Sequence, residues 1–153
     1  MVRLVDLPPA TQTGMRNLEC PTFDRKPFVS GPPLHERRIA VVTSAGLVRR
    51  GERPFTSGDV DYRVLPGDTP ADQLLMTHVS VNFDRTGFQR DINVVYPLDR
   101  LRELADAGAI GSVASTHYSF MGATDPRGME ANAREVAARL KADRVDGVLL
   151  TPV

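Results

Sequence analysis

The clearest signal in the chain is a run of apolar positions over residues 145–153, Val-Asp-Gly-Val-Leu-Leu-Thr-Pro-Val, closed by a Thr-Pro turn. A short, near-continuous apolar run predicts a strand covered on both faces, the kind found in parallel sheets flanked by helices. In such sheets ligands bind just beyond the carboxyl ends of the strands. A residue following Val153 would therefore stand at the mouth of a site.

Earlier in the chain, Arg38-Ile39-Ala40-Val41-Val42 reads as a first buried strand. It runs into the small-residue turn Thr43-Ser44-Ala45-Gly46-Leu47, where a backbone or ligand could approach closely. Residues 48–72 form a polar loop rich in turn formers, and within them Tyr62-Arg63-Val64-Leu65 alternates as a short edge strand. Thr69 and Pro70 signal a helix start, and residues 74–81 read as a strand. Residues 83–96 are dense in polar groups and lead into a helix over 97–105, with Leu98, Leu101, Leu104 and Ala105 on one face and a stop at Gly108. A strand over 110–114 follows, with 116–119 as the turn at its carboxyl end. Thr124-Asp125-Pro126 caps a helix over 127–142, whose apolar stripe is Met129, Ala133, Val136, Ala137 and Leu140. This order predicts an α/β fold: a three-layer, open, mainly parallel sheet with flanking helices.

Residues 1–37 lack such periodicity. Their prolines, Pro8-Pro9, Pro21, Pro27 and Pro32-Pro33, keep the segment extended or turning. They also hold Leu4, Leu7, Met15, Leu18, Phe23, Phe28 and Val29, too many apolar side chains for a solvated tail. The expectation is an irregular, Pro-rich N-terminal arm over 1–37, packed on the domain or on a partner chain, with a disordered leader as the alternative. The α/β domain then covers 38–153.

Composition narrows the function classes. The chain has 153 residues, enough for one domain with its own core, and 19 basic residues balance 19 acidic ones. Zero net charge argues against general binding to nucleic acid or to an acidic membrane surface. No apolar run approaches the roughly 18 residues of a membrane helix, and the N-terminus lacks the apolar core of a signal peptide. One cysteine cannot form an internal disulfide, which suits a reducing, cytoplasmic compartment.

Three turns converge at the predicted strand ends: 43–46, 116–119 and 151–153. His117 stands out there as a proton donor or anion holder; the structural alternative is an imidazole bonded to a backbone carbonyl. Asp84, Arg90, Asp91 and Asp99 offer partners for a substrate ammonium or carboxylate, Arg90 for the carboxylate. The alternative is an internal network that pins the loop onto the helix, with Asp99 favouring the helix dipole. The histidines at 35, 78 and 117 show no metal-binding spacing, and Cys20, beside Pro21, has no activating base nearby. Ser44 lacks the GxSxG elbow of a hydrolase, and 43–47 lacks the glycines and Lys-Ser/Thr of a phosphate loop.

Four stretches stand in an order that carries further information: IAVVTSAGL at 39–47, RDINVVYPLDRLREL at 90–104, HYSFMG at 117–122 and VDGVLLTP at 145–152. Over residues 38–153 the chain resembles the selenoprotein B family of glycine, sarcosine, betaine and D-proline reductases, most of all the D-proline reductase small-subunit type. The resemblance implies a thiol- or selenol-dependent reductive cleavage of a C–N bond in an amino-acid-like substrate. It implies that 38–153 is the N-terminal portion of a longer family domain, with the redox Cys or Sec directly after the strand matching 148–152. That residue, or a pyruvoyl group, is expected from the continuation or from a partner chain, with no cofactor in this chain. Such a thiolate or selenolate would face the next helix N-terminus, whose dipole stabilises an anion.

The site expected on this reading has His117 and Asp91 as catalytic residues, with Ser44, Arg90, Asn93, Tyr118 and Thr151 binding the substrate and no metal. The ending at Val153 fits a selenocysteine UGA codon read as stop, a fragment boundary or a subunit boundary. Each leaves the last strand with an exposed edge in want of a partner, so a second chain is expected in a hetero-oligomer. A reading from another class is a non-catalytic α/β binding or assembly subunit that docks on the partner carrying the chemistry.

Overall fold

A computed structural model describes residues 3–17, 19, 22, 24, 27–80 and 85–153. Its elements in chain order are α1 (Pro9–Arg16), β1 (Arg38–Thr43), β2 (Leu47–Arg49), β3 (Tyr62–Pro66), β4 (Leu74–Met76), α2 (Thr86–Arg90), α3 (Leu98–Asp106), β5 (Ser112–Val113), β6 (Thr116–Phe120), α4 (Glu130–Ala142) and β7 (Gly147–Thr151). β1 is the hub. Along one edge it pairs in parallel first with β5 and then with β6; along the other it pairs in parallel with β7. β3 lies antiparallel outside β6, the edge strand its alternation predicts, and β2 and β4 form a separate antiparallel ribbon.

Side chains alternate across this sheet and build two apolar layers. Ile39, Val41 and Leu65 pack with Val95, Tyr96, Leu98 and Leu101 around α3. Ala40, Tyr118 and Phe120 pack with Val136 and Leu140 of α4. The three-layer α/β architecture expected from the sequence is present. Both helices follow their local signals. α3 begins after Pro97 and ends at Gly108, whose φ of 69° turns the chain while Ala109 N–H bonds the Leu104 carbonyl at 2.8 Å. The start of α4 is prepared by Asp125, which accepts the Arg127 N–H at 2.9 Å, and by Pro126 in the first turn. Its far end is tied to β1 by Arg38, whose guanidinium grips the Asp143 carboxylate at 2.8 and 3.0 Å and the Val113 carbonyl at 3.1 Å.

Several expectations are corrected. The strand read at 110–114 shrinks to β5, and the turn read at 116–119 is the interior of β6. Thr116, His117 and Ser119 hid β6 from an apolar-run criterion; two of them are buried with internal hydrogen bonds. The strand read at 74–81 stops at Met76, and the helix start near 70 is a single 3₁₀ turn, Ala71–Gln73. β2 lies where the sequence predicts a turn and loop. In the arm, residues 9–16 are helical rather than irregular, and Phe28 and Val29 are 88% and 78% exposed rather than packed on the domain. Leu18, Cys20 and Phe23 lie outside the described residues. The last strand is not covered on both faces: Val148, Leu149 and Leu150 are 41%, 39% and 69% exposed. Among the described residues no helix is long and apolar enough to cross a membrane.

Candidate functional site

β1, β6 and β7 end together, with Thr43 opposite Ser119 on one side and Thr151 on the other. One residue on, Ser44 is the meeting point of three segments. Its N–H bonds the Thr151 carbonyl at 3.0 Å, its carbonyl accepts the Gly122 N–H at 2.9 Å, and its Oγ accepts the Val153 N–H at 2.9 Å. Gly122 is required by this crowding: a Cβ there would lie 2.8 Å from the Ser44 carbonyl oxygen and 2.9 Å from both Ser44 Oγ and the Val153 carbonyl oxygen. Thr43 Oγ1 accepts the Ala45 N–H at 3.2 Å and donates to the Thr151 carbonyl at 3.3 Å, which fixes the turn.

Beside this knot lies a hollow of about 340 Å³, bounded by Val42, Thr43, Ser44, Phe120, Leu150, Thr151 and Pro152 and by Pro126, Met129 and Ala133 from the start of α4. Among the described residues no charged side chain lines it. The Ser44 hydroxyl, spent as an acceptor on Val153, keeps its proton to donate. Thr151 Oγ1 is buried with no partner among the described residues. The arrangement suits a small, mainly apolar group held at one end by the Ser44 hydroxyl and backbone.

His117 does not join this cluster. It lies two residues before Ser119 on β6, roughly 7 Å back from the tip at the rise of a strand, and is fully buried. Its Nδ1 accepts the Val41 N–H at 3.0 Å, which places the ring proton on Nε2, and the ring stands edge-on to Tyr96 at 5.6 Å. Burial, assisted by the nearby charge of Arg102, pulls its pKa down to about 4. The imidazole is therefore neutral near pH 7 and serves the sheet; its expected convergence with Ser44 is corrected. The Nδ1 partner is a backbone N–H, and the Ala114 backbone is a second partner of the ring, as the structural alternative expects. Tyr118 points to the opposite face, buried edge-on to Tyr62 at 5.7 Å, and does not line the hollow.

Asn93 bridges Asp91 and Asp99. Asp91 Oδ1 accepts both the backbone N–H and the Nδ2 of Asn93 at 2.9 Å; Asn93 Nδ2 also donates to Asp99 Oδ2 at 3.1 Å, and Asn93 Oδ1 accepts the Asp99 N–H at 3.1 Å. These donors, the Asn93 backbone N–H first, hold the Asp91 carboxyl below the usual range. Of the internal salt-bridge network expected among Asp84, Arg90, Asp91 and Asp99, two members, Asp91 and Asp99, are held together, through Asn93 rather than Arg90, and Asn93 caps the start of α3. Arg90 is exposed at the end of α2 and lines, with Asp91 and Asn93, a concavity of about 450 Å³ that shares no residue with the strand-tip hollow. Asp84 lies outside the described residues.

The structure therefore brings together Ser44 and Thr151, joined by Gly122 and the Val153 backbone. Gly122 was read only as the end of a motif; a glycine two positions past a strand was the available signal. Among the described residues no group of three His, Cys, Asp or Glu side chains could hold a metal ion.

In open α/β sheets ligands bind beyond the carboxyl ends of the parallel strands, and the hollow lies at that edge of this sheet. The family model of glycine/sarcosine/betaine reductase selenoprotein B (GRDB) matches residues 15–153, and the chain belongs to that family. The resemblance carried by the four stretches between 39 and 152 is borne out. D-proline reductase subunit gamma of Acetoanaerobium sticklandii is 34% identical over 121 residues, 77% of this chain and 49% of the relative. Glycine reductase complex component B subunit gamma of Symbiobacterium thermophilum is 35% identical over 140 residues, 86% of this chain and 32% of the relative. Betaine reductase complex component B subunit beta of Peptoclostridium acidaminophilum is 36% identical over 123 residues, 77% of this chain and 28% of the relative. The chain thus spans half or less of the length of these relatives. No solved structure matches it.

Proposed function

We propose that this chain supplies part of the active site of a selenoprotein B-type reductase acting on an amino-acid-like substrate. The observation that carries the reading is the hydrogen bond from Val153 N–H to Ser44 Oγ at 2.9 Å, which holds the tip of β7 at the rim of the hollow. Family membership and the printed names of the relatives, reductase components for D-proline, glycine and betaine, support it. Overall, the substrate's C–N bond takes up two electrons and two protons to give C–H and N–H, and a dithiol is oxidised to a disulfide.

The tip fits a thiol or selenol side chain. Gly122 presents no Cβ, and Phe120, Met129 and Leu150 offer soft apolar contacts to a polarizable atom. A Cys or Sec delivered beside Val153, with a pyruvoyl group from a partner subunit, would supply the nucleophile and the electron sink. This chain's own residues then position: Ser44 fixes the tip and keeps a hydroxyl proton for the substrate, the Thr151 backbone anchors Ser44, and the apolar wall excludes water. Among the described residues no cation lines the hollow, and on this reading the substrate carboxylate is met by the partner chain.

The test is reconstitution of the chain with complementary reductase components, supplied with dithiothreitol and D-proline, glycine, sarcosine or betaine in turn. One substrate should be reductively cleaved only when dithiol is present. Ser44→Ala should lower kcat/KM about tenfold, the loss of one hydrogen bond of about 1.4 kcal/mol. Turnover indifferent to dithiol, or to Ser44→Ala, overturns the reading. A second reading, a non-catalytic assembly subunit, draws on the absence of any titratable side chain in the hollow. It predicts that Ser44→Ala changes neither kcat nor KM while association persists.

A further inference from the structure

We infer that the outer edge of β7 receives a parallel strand from the remaining part of the reductase domain, so that the sheet and both of its helical layers continue past this chain; the inference rests on the functional reading above. β7 pairs with β1 alone, and among the described residues its other row of backbone groups meets no strand. Strands that end a sheet carry charges, prolines or a polar face that discourage further pairing. β7 has none of these. Val148, Leu149 and Leu150 are consecutive and all exposed.

Their register shows what is missing. Val148 and Leu150 lie beside Ala40 and Val42, on the face that α4 covers, and Leu149 lies beside Val41, on the face that α3 covers. The edge is therefore apolar on both faces, the pattern of a strand inside a parallel sheet rather than at its border. α4 stops short in the same direction. Ala133 and Ala137 of its expected apolar stripe are exposed, and Ala133 with Leu150 forms the open wall of the hollow. A further strand at β7 and a helix beside α4 would bury these residues and roof the hollow.

The occupant follows from lengths. The matched region is 49% of D-proline reductase subunit gamma and 32% of the glycine reductase relative. A single copy of a relative thus carries, for each matched region, at least as much polypeptide again, enough to extend this sheet without a second copy of this chain.

The test co-expresses the tagged chain with the unmatched half of D-proline reductase subunit gamma. A one-to-one complex should form. The β7 amides that do not bond to β1 should exchange hydrogen more slowly in the complex than in the chain alone. Leu149→Lys and Leu150→Lys, both at exposed positions, should weaken association about tenfold or more while circular dichroism and Tm of the isolated variants stay unchanged. A complex that tolerates both substitutions overturns the inference. So does a homodimer that protects β7, which would make a second copy the occupant, and so does a chain that stays monomeric with the unmatched half present. The readout is association, so failure here is separable from failure of the reductase reading: a complex formed through β7 that lacks dithiol-dependent cleavage would sink only the latter.

Discussion

The imidazole of His117 and the backbone N–H of Val41 are joined by a 3.0 Å hydrogen bond across 76 residues of sequence. The bond sits where β1 changes partners, from β5 opposite Arg38 and Ile39 to β6 opposite Val42 and Thr43. At such a break a buried N–H would be left without a strand carbonyl, and an unsatisfied buried donor costs about 1–3 kcal/mol. His117→Ala should therefore destabilise the fold by about 3 kcal/mol, adding a cavity to the lost acceptor. His117→Asn keeps an acceptor near the position of Nδ1 and should lose about half as much. Urea unfolding of the two variants measures the difference; equal losses would show that the Val41 bond is not what the imidazole contributes.

The same burial makes stability depend on pH. The folded pKa of His117 is about 4 against 6.5 for the free side chain, so above pH 6.5 the imidazole is neutral in both states. As pH falls, the unfolded chain takes up a proton that the folded chain refuses. Stability is lost progressively from 6.5 down to the folded value, by up to about 3 kcal/mol. His78, also lowered by burial and then by Arg85, acts in the same direction. Denaturation at pH 7, 6 and 5 should show this decline, and His117→Asn should flatten it without abolishing it. An unchanged slope in the variant would assign the titration elsewhere.

What the sequence made legible were elements written in local signals. β1 and β7 are apolar runs; α3 and α4 carry Pro97, Gly108, Asp125 and Pro126 at their ends. β6 was not legible, because its polar side chains find partners far away in the chain: Ser119 Oγ accepts the Leu47 N–H at 2.7 Å, as His117 does for Val41. The site divides in the same way. Ser44 and Thr151 follow from the strand-end rule, whereas the need for Gly122 arises only when segments distant in sequence are packed together. In the stretch 90–99 residue type suggested substrate binding, yet Asn93 is the hydrogen-bond partner of both Asp91 and Asp99.

The Asn93 bridge gives a further prediction. Asn93→Ala removes the bridge between the two carboxylates and uncaps the Asp99 N–H, and should cost about 1–2 kcal/mol. Asn93→Asp should cost more, since it sets a third carboxylate against Asp91 and Asp99. If the bridge is structural, turnover per folded molecule in the assembled reductase stays unchanged in Asn93→Ala. A fall in kcat at constant Tm would return Asp91 and Asn93 to the chemistry.

α4 closes with Arg144 at φ 55°, a left-handed conformation in which a side chain is strained, while Val145 N–H bonds the Leu140 carbonyl at 2.9 Å. α3 solves the same problem with Gly108. Arg144→Gly should raise stability by about 1 kcal/mol, read as an upward shift in Tm with no change in association through β7.

Gly122 tests the knot at the strand tips. A methyl group there meets two backbone oxygens, of Ser44 and Val153, at 2.8 and 2.9 Å, and neither can rotate away as a side chain would. Gly122→Ala must push Ser44 and the tip of β7 apart, breaking the Val153–Ser44 bond or tilting the hollow's rim. We expect a loss of about 2 kcal/mol in stability, as for overpacking elsewhere, and a larger proportional loss of turnover in the reconstituted reductase. Gly108→Ala is the control. It forces a left-handed alanine, at about 1 kcal/mol, into open space at the end of α3. It should lower Tm while leaving kcat unchanged. If Gly122→Ala behaves like Gly108→Ala, losing stability alone, the tip of β7 is a structural junction and the chemistry lies elsewhere.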